Sequence, residues 1–194
     1  MLVDLLKFMD EPLAEDIAWH LPTLYWLART GCGDVIELGV RNGFSTIALL
    51  AGASERGRQL YSYDIDPTCE WRAMATWSKH MPLLRWLVGN HWRFRSQDSV
   101  AAAYDWGVQH GPSWRRPGLL FVDTSHGYDR TLAELRAWHD KLSAKSVICG
   151  HDYSLPSAGV RAAVATFCED HRGQYTMQST DHTNGLFILR RIDQ

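Results

Sequence analysis

Five short stretches of this chain that read as strands end on acids. Glu37 lies in or near the end of "VIEL", Asp64 and Asp66 close "YSYDID", and Asp98 follows "HWRFRSQ". Asp123 closes "GLLFVD" and Asp152 follows "VICGH". One such acid could simply cap the next helix. Five ends out of five make an acid-lined rim, which suits a cationic ligand, a set of hydroxyl groups or a metal ion. Gly39 and Gly43 punctuate the turn after the first run. Glycine adopts backbone angles that other residues avoid and lets a ligand approach the main chain closely. Arg41 stands between them, so the stretch is not the G-x-G-x-x-G that seats a dinucleotide pyrophosphate on a helix start. Glu37, two residues earlier, would repel a phosphate and favour a positively charged ligand. His126 follows Asp123 by three residues. Its imidazole, with an unperturbed pKa of about 6.5, suits general acid–base work.

These residues need elements to position them. Ile17, Leu21, Leu24 and Leu27 recur at helical spacing, and Pro22 marks the end of one helix and the start of another. Helices are then expected over Ser45–Ser54, Cys69–Lys79, Val100–His110, the stretch "YDRTLAELRAWHDKL" and the stretch "AGVRAAVATFCEDH". In the fourth of these, Asp129 reads as an N-cap, Thr131 and Glu134 have capping-box spacing, and Leu132, Leu135, Trp138 and Leu142 form one stripe. "QYTMQST" and "GLFILRRI", joined by "DHTNG", read as a terminal hairpin. Alternating strands and helices imply an α/β fold, a doubly wound and mostly parallel sheet with an antiparallel C-terminal hairpin. Ligands of such sheets bind beyond the carboxyl ends of the strands, where the strand order reverses.

Composition narrows the classes. At 194 residues the chain is expected to be one domain over 1–194, with 1–30 as an N-terminal helical extension. A formal net charge of −2 argues against a dedicated nucleic-acid or anionic-membrane binder. No apolar run is long enough to span a bilayer, and "MLVDLLKFMDEP" does not read as a signal peptide. Cys32, Cys69, Cys149 and Cys168 are scattered without a C-x-x-C pair, as expected of reduced thiols in a cytoplasmic protein. "RWLVGNHWRFR" interleaves aromatics with arginines, as single-stranded nucleic-acid platforms do. The same alternation puts Trp92 and Phe94 on one face of a strand, which is ordinary core patterning. Trp19 and Trp26 are expected in the core, with a lid or a homodimer face as the other option.

"ELGVRNGFS", Glu37 to Ser45, resembles the acid-x-Gly-x-x-x-Gly motif of class I S-adenosylmethionine-dependent methyltransferases. The resemblance continues in order to about Ile192 and implies a seven-stranded Rossmann-like fold. It assigns cofactor contacts to Glu37, Gly39, Gly43 and Ser45. Asp64 would hold the ribose hydroxyls, Gln97, Asp98 and Ser99 would lie by the adenine, and Asp123 would border the cofactor. "VDTSHGYD" and "VICGHDY" are similar to the subgroup of cephalosporin-hydroxylase-like proteins and sugar or antibiotic O-methyltransferases. That subgroup implies magnesium or another divalent metal at Asp123 and Asp152, with His151 in the place of a further acid. Ser125 departs from the subgroup, standing where many relatives have a second acid. His151 suits a transition metal better than magnesium, which prefers oxygen ligands.

The resulting expectation is O-methylation of a small hydroxylated molecule, a sugar or natural product, with His126 and Asp123 in the catalytic roles. The other histidines need no role, although His182 in the hairpin loop could reach the site. A cofactor-binding protein without catalysis and a nicotinamide-dependent oxidoreductase stand as alternatives.

Overall fold

A computed structural model describes residues 12–78, 84–110, 116–157 and 159–192. A 3-10 helix, Pro12–His20, leads into α1, Leu21–Thr30, with Pro22 in the first turn as expected of a residue lacking the N–H. The chain then runs β1 Val35–Leu38, α2 Phe44–Ser54, β2 Leu60–Asp64, α3 Cys69–Ser78, α4 Leu84–His91, β3 Trp92–Ser96, α5 Ser99–His110 and β4 Leu119–Val122. It ends with α6 Tyr128–His139, β5 Val147–Gly150, α7 Val160–Asp170, β6 Tyr175–Ser179 and β7 Phe187–Arg191. Residues 1–11 of the expected helical extension, and Lys79 of the second expected helix, lie outside the described residues.

One seven-stranded sheet has the order β3-β2-β1-β4-β5-β7-β6. The first five strands are mutually parallel, and β7 inserts antiparallel between β5 and β6. The expected α/β fold, doubly wound sheet and antiparallel hairpin are therefore present. Order reverses between β1 and β4, so the crevice opens above the carboxyl ends of those two strands.

Side chains of successive strand residues point to opposite faces, and the core divides accordingly. Val35, Leu60, Leu119, Phe121 and Cys149 face α1 and α2. Ile36, Leu38, Leu120, Val122 and Ile148 face α5, α6 and α7. Burial on both faces explains why β1, β4 and β5 read as continuous apolar runs. Trp92 is part of this core. Its Nε1 donates to Ser62 Oγ at 2.9 Å and its ring packs on Trp77.

Three local expectations change. Helix α4 occupies a stretch to which the sequence pattern assigned no element. Helix α6 has Gly127 at its N-cap, so Asp129 lies inside the first turn, where it complements the helix dipole. Thr131 is buried within the helix, and Glu134 turns inward instead of back toward the cap, so no capping box forms. Trp19 and Trp26 are 59% and 45% exposed, so neither is core. All four cysteines are free thiols. Among the described residues no helix is long and apolar enough to cross a membrane.

Candidate active site

The turn after β1 is pinned between its two neighbours. Gly39 N donates to Tyr63 O at 2.9 Å, and Asp123 N donates to Leu38 O at 2.8 Å. Gly39 has φ +91°, and a Cβ there would lie 2.0 Å from Asp123 O. Only glycine fits this crossing of β1 and β4. Gly43, at φ +79°, opens α2, and a Cβ would lie 2.4 Å from the Ala73 Cβ of α3. Its glycine requirement comes from helix packing, and Gly43 borders neither of the cavities described below.

Glu37 also differs from its expected role. Its carboxylate is fully buried and accepts from Ser45 Oγ at 2.7 Å, Thr46 Oγ1 at 3.0 Å and Ser62 Oγ at 2.6 Å. Burial pushes its pKa up to about 7 against the pull of those hydroxyls. It ties β1 to β2 and α2 from inside and borders neither cavity, so the direct attraction of a cationic ligand expected from its sequence position is not its geometry. Ser45, expected at the cofactor, spends its hydroxyl on Glu37.

A cavity of about 540 Å³ lies above β1, β2 and β4. Gly39, Asp64, Gln97, Asp98, Ser99 and Asp123 border it, so most of the expected cofactor residues come together. Its volume suits a nucleoside-sized ligand. Asp64 Oδ2 accepts from Val40 N at 2.8 Å and Arg41 N at 3.3 Å, and its Oδ1 accepts from Asp66 N at 2.9 Å. One acid thus holds the glycine turn in place while facing the cavity. Asp66, the other acid of that strand end, accepts from Thr68 N and pairs with Arg72 at the start of α3.

Ile65, between the two acids, is 75% exposed on the cavity rim, an apolar surface the sequence reading passed over. At the far side, Asp98 caps α5 through Val100 N and Ala101 N and pairs with Arg130 at 2.7 Å. Gln97 donates to Asp105 at 2.6 Å. Ser99 donates to Glu134, and Thr124 Oγ1 lies 2.8 Å from Glu134 Oε2. Burial raises Glu134, opposed by those hydroxyls and by Arg130.

A second cavity of about 340 Å³ adjoins the first across Gly39 and Asp123. It is bordered by Asp16, Phe44, His126, His151 and Asp152 among others. His126 Nε2 lies 2.8 Å from Asp152 Oδ2, while the His126 side chain stays 47% exposed. His151 Nδ1 lies 3.3 Å from Asp152 Oδ2 and 3.8 Å from Asp123 Oδ1. Burial would lower His151, but the Asp152 hydrogen bond and the Asp123 charge outweigh it and hold its pKa above the usual value. Desolvation pushes Asp123 up to about 6, against the pull of His151. Asp152 sits at φ 57°, the left-handed region, a strained setting that favours functional sites.

His20, set aside in the sequence reading, packs its ring 5.3 Å from that of His151 and places Nε2 3.1 Å from Thr183 O. Asp16 was missed altogether. No local signal marks either residue, because both reach the site through packing of the N-terminal segment. His182 packs against Trp19 and borders neither cavity.

The residues fit a divalent metal. His151 Nε2 and Asp152 Oδ1 are buried and lack a hydrogen-bond partner among the described residues. Unsatisfied buried polar atoms are costly and need an explanation. An imidazole with carboxylates suits manganese, iron, cobalt or zinc better than magnesium.

A search of curated proteins finds no match to this chain. Among solved structures, an SAH-bound methyltransferase from Podospora anserina superposes with a TM-score of 0.67 at 15% identity, covering 99% of this chain and 88% of that one. An O-methyltransferase from Bacillus cereus in complex with SAH gives 0.67 at 12% identity, covering 94% and 82%. At such identities these likenesses establish the fold. The family model described as "Methyltransferase domain" matches residues 36–153, from β1 through the acid after β5. With that match over the whole cofactor cavity and most of the second, and the fold that carries them, the chain belongs to the methyltransferase-domain family and is an S-adenosylmethionine-dependent methyltransferase of class I.

Proposed function

We propose that the protein methylates a hydroxyl oxygen of a small acceptor, a sugar or natural product, and that His126 is the base. The observation that carries this reading is the His126–Asp152 pair at 2.8 Å, in a cavity that shares Gly39 and Asp123 with the cofactor cavity. When bound, S-adenosylmethionine would supply an electrophilic methyl group activated by its sulfonium, with SAH as the leaving group.

Asp64 would accept from the ribose hydroxyls at one end of the cofactor cavity, and Ile65 would pack on the adenine ring. Asp123, which lines both cavities, would lie between the methyl donor and the acceptor. Nε2 of His126 donates to Asp152, which leaves Nδ1 as the free acceptor of the hydroxyl proton. The buried carboxylate then stabilises the imidazolium that forms, as in other acid-oriented histidine bases. Asp123, His151 and Asp152 would hold a divalent metal, whose chemistry would be to lower the pKa of a coordinated hydroxyl.

His126→Ala is expected to lower kcat by about 10²–10⁴ with SAH affinity unchanged. Turnover is followed as SAH release across a panel of hydroxylated acceptors, with SAH affinity from calorimetry. Parent-level turnover by the variant would remove His126 from the mechanism. Turnover by the parent on amine acceptors alone would replace oxygen as the nucleophile.

A further inference from the structure

Asp16 lies midway along the 3-10 helix Pro12–His20 and borders the second cavity, more than a hundred residues from the acids it meets. One donor atom from each of Asp16, His151 and Asp152 lies within 4.8 Å of the others. His151 and Asp152 are at least nine-tenths buried, and His151 Nε2 and Asp152 Oδ1 have no partner among the described residues. Asp16 Oδ2 accepts from Asn184 Nδ2 at 2.5 Å. Asn184 and Thr183 lie at positive φ in the β6–β7 loop, and Thr183 O holds His20. The segment carrying Asp16 is thereby fastened to the hairpin loop over the site.

We propose that Asp16 is a metal ligand, completing with His151 and Asp152 a two-carboxylate, one-imidazole centre for a divalent transition metal. The residues around it divide the work. Asp152 offers Oδ1 to the metal while Oδ2 keeps its contact with His126. Asn184 orients the Asp16 carboxylate from the side, as outer partners of metal ligands do. A nitrogen donor among the three favours cobalt, manganese, iron or zinc over magnesium, which takes oxygen ligands and gives up its water reluctantly. The centre goes beyond the Asp123–His151–Asp152 set of the proposed function, because its third ligand comes from outside the family-matched residues 36–153. It does not depend on oxygen being the methyl acceptor.

The competing arrangement has no metal. A protonated His151 would neutralise Asp16 and Asp152 on its own, and the chain would then take up no cation.

The test is titration of tag-free, chelator-treated protein with Co2+, read by visible d–d absorption and calorimetry, with Mg2+ as competitor. SAH affinity is measured separately in chelator. One equivalent of Co2+ is expected, with a spectrum showing nitrogen and oxygen ligation, and Mg2+ in tenfold excess should not displace it. Asp16→Asn should weaken Co2+ binding tenfold or more, with SAH affinity and the metal-free melting temperature unchanged. Absence of Co2+ binding by the parent, equal competition by Mg2+, or undiminished Co2+ affinity in Asp16→Asn would each overturn the assignment. A variant that melts earlier without metal is replaced by Asp16→Ser, read by the same titration. Loss of SAH binding by the parent would instead count against the cofactor reading and leave the metal result standing.

Discussion

At Asp64 two demands meet on one carboxylate. It holds the amides of Val40 and Arg41, which shapes the turn after β1, and it borders the cofactor cavity. Truncation to alanine would disturb both. Asp64→Asn keeps an acceptor for the turn and removes the charge. Charge-assisted hydrogen bonds contribute about 1.5–3 kcal/mol, so Asp64→Asn is expected to weaken SAH binding roughly 10- to 100-fold. Calorimetry checks this, and an unchanged affinity would place the ribose elsewhere. Glu37 teaches the reverse lesson. Its position in the motif suggested a ligand contact, yet three hydroxyls of this chain surround it. A residue's type and spacing say what it can bond. They do not say which of the bonds within reach it makes.

Among the elements, α6 couples the rim most directly. Glu134, fully buried on its inner face, bonds Ser99 after β3, Thr124 after β4 and Arg130 one turn earlier. Arg130 in turn pairs with Asp98. The helix therefore locks two strand ends at the cofactor cavity together. Removing Glu134 strands the Ser99 and Thr124 hydroxyls while Arg130 keeps Asp98, at a cost of about 1–3 kcal/mol. Glu134→Ala is expected to lose stability on this scale, seen as a lower denaturation midpoint, and to weaken SAH binding as well. Stability loss without any change in SAH affinity would confine Glu134 to a structural role. The stripe of Leu132, Leu135 and Trp138 announced this helix because apolar residues recur with its period. Its cap was misread because Gly127 and Asp129 both suit a helix start, and packing of Glu134 inward selected between them.

Stability of the whole molecule should carry a pH signature from the far side of the sheet. His139 is buried between α6, α7 and β6, with Nδ1 2.9 Å from the Tyr175 hydroxyl and its ring 4.0 Å from that of His171. Burial, then the charges of His171 and Arg191, lower its pKa to about 4, with Asp140 opposing. Above the free imidazole value the ring is neutral in both the folded and the unfolded chain, and its contribution is fully present. As pH falls from about 6.5 to about 4, the unfolded chain gains a proton that the folded one resists, at a cost of up to ~3 kcal/mol. Glu37, raised to about 7, acts with the opposite sign, because its folded form takes up a proton first. The difference between parent and His139→Gln isolates the histidine. Chemical denaturation should show the parent's advantage shrinking across that window, and a constant difference would refute the assignment.

Local pattern was enough to read the alternation of strands and helices, the acids at the strand ends and the terminal hairpin. Each is written within a few residues, through the period of apolar side chains and the turn residues. The methyltransferase likeness was legible for the same reason, since its motifs are short and come in order. Contacts made at a distance followed a different rule. Asp16 and Asn184 are 168 residues apart and bond only because the N-terminal segment packs over the β6–β7 loop. His20 reaches His151 by the same route. Which buried hydroxyls would claim Glu37, and which segment would bring a further carboxylate to Asp152, depended on how whole elements stack. Stacking is set by the summed burial of many side chains, a sum that no short window of the chain contains.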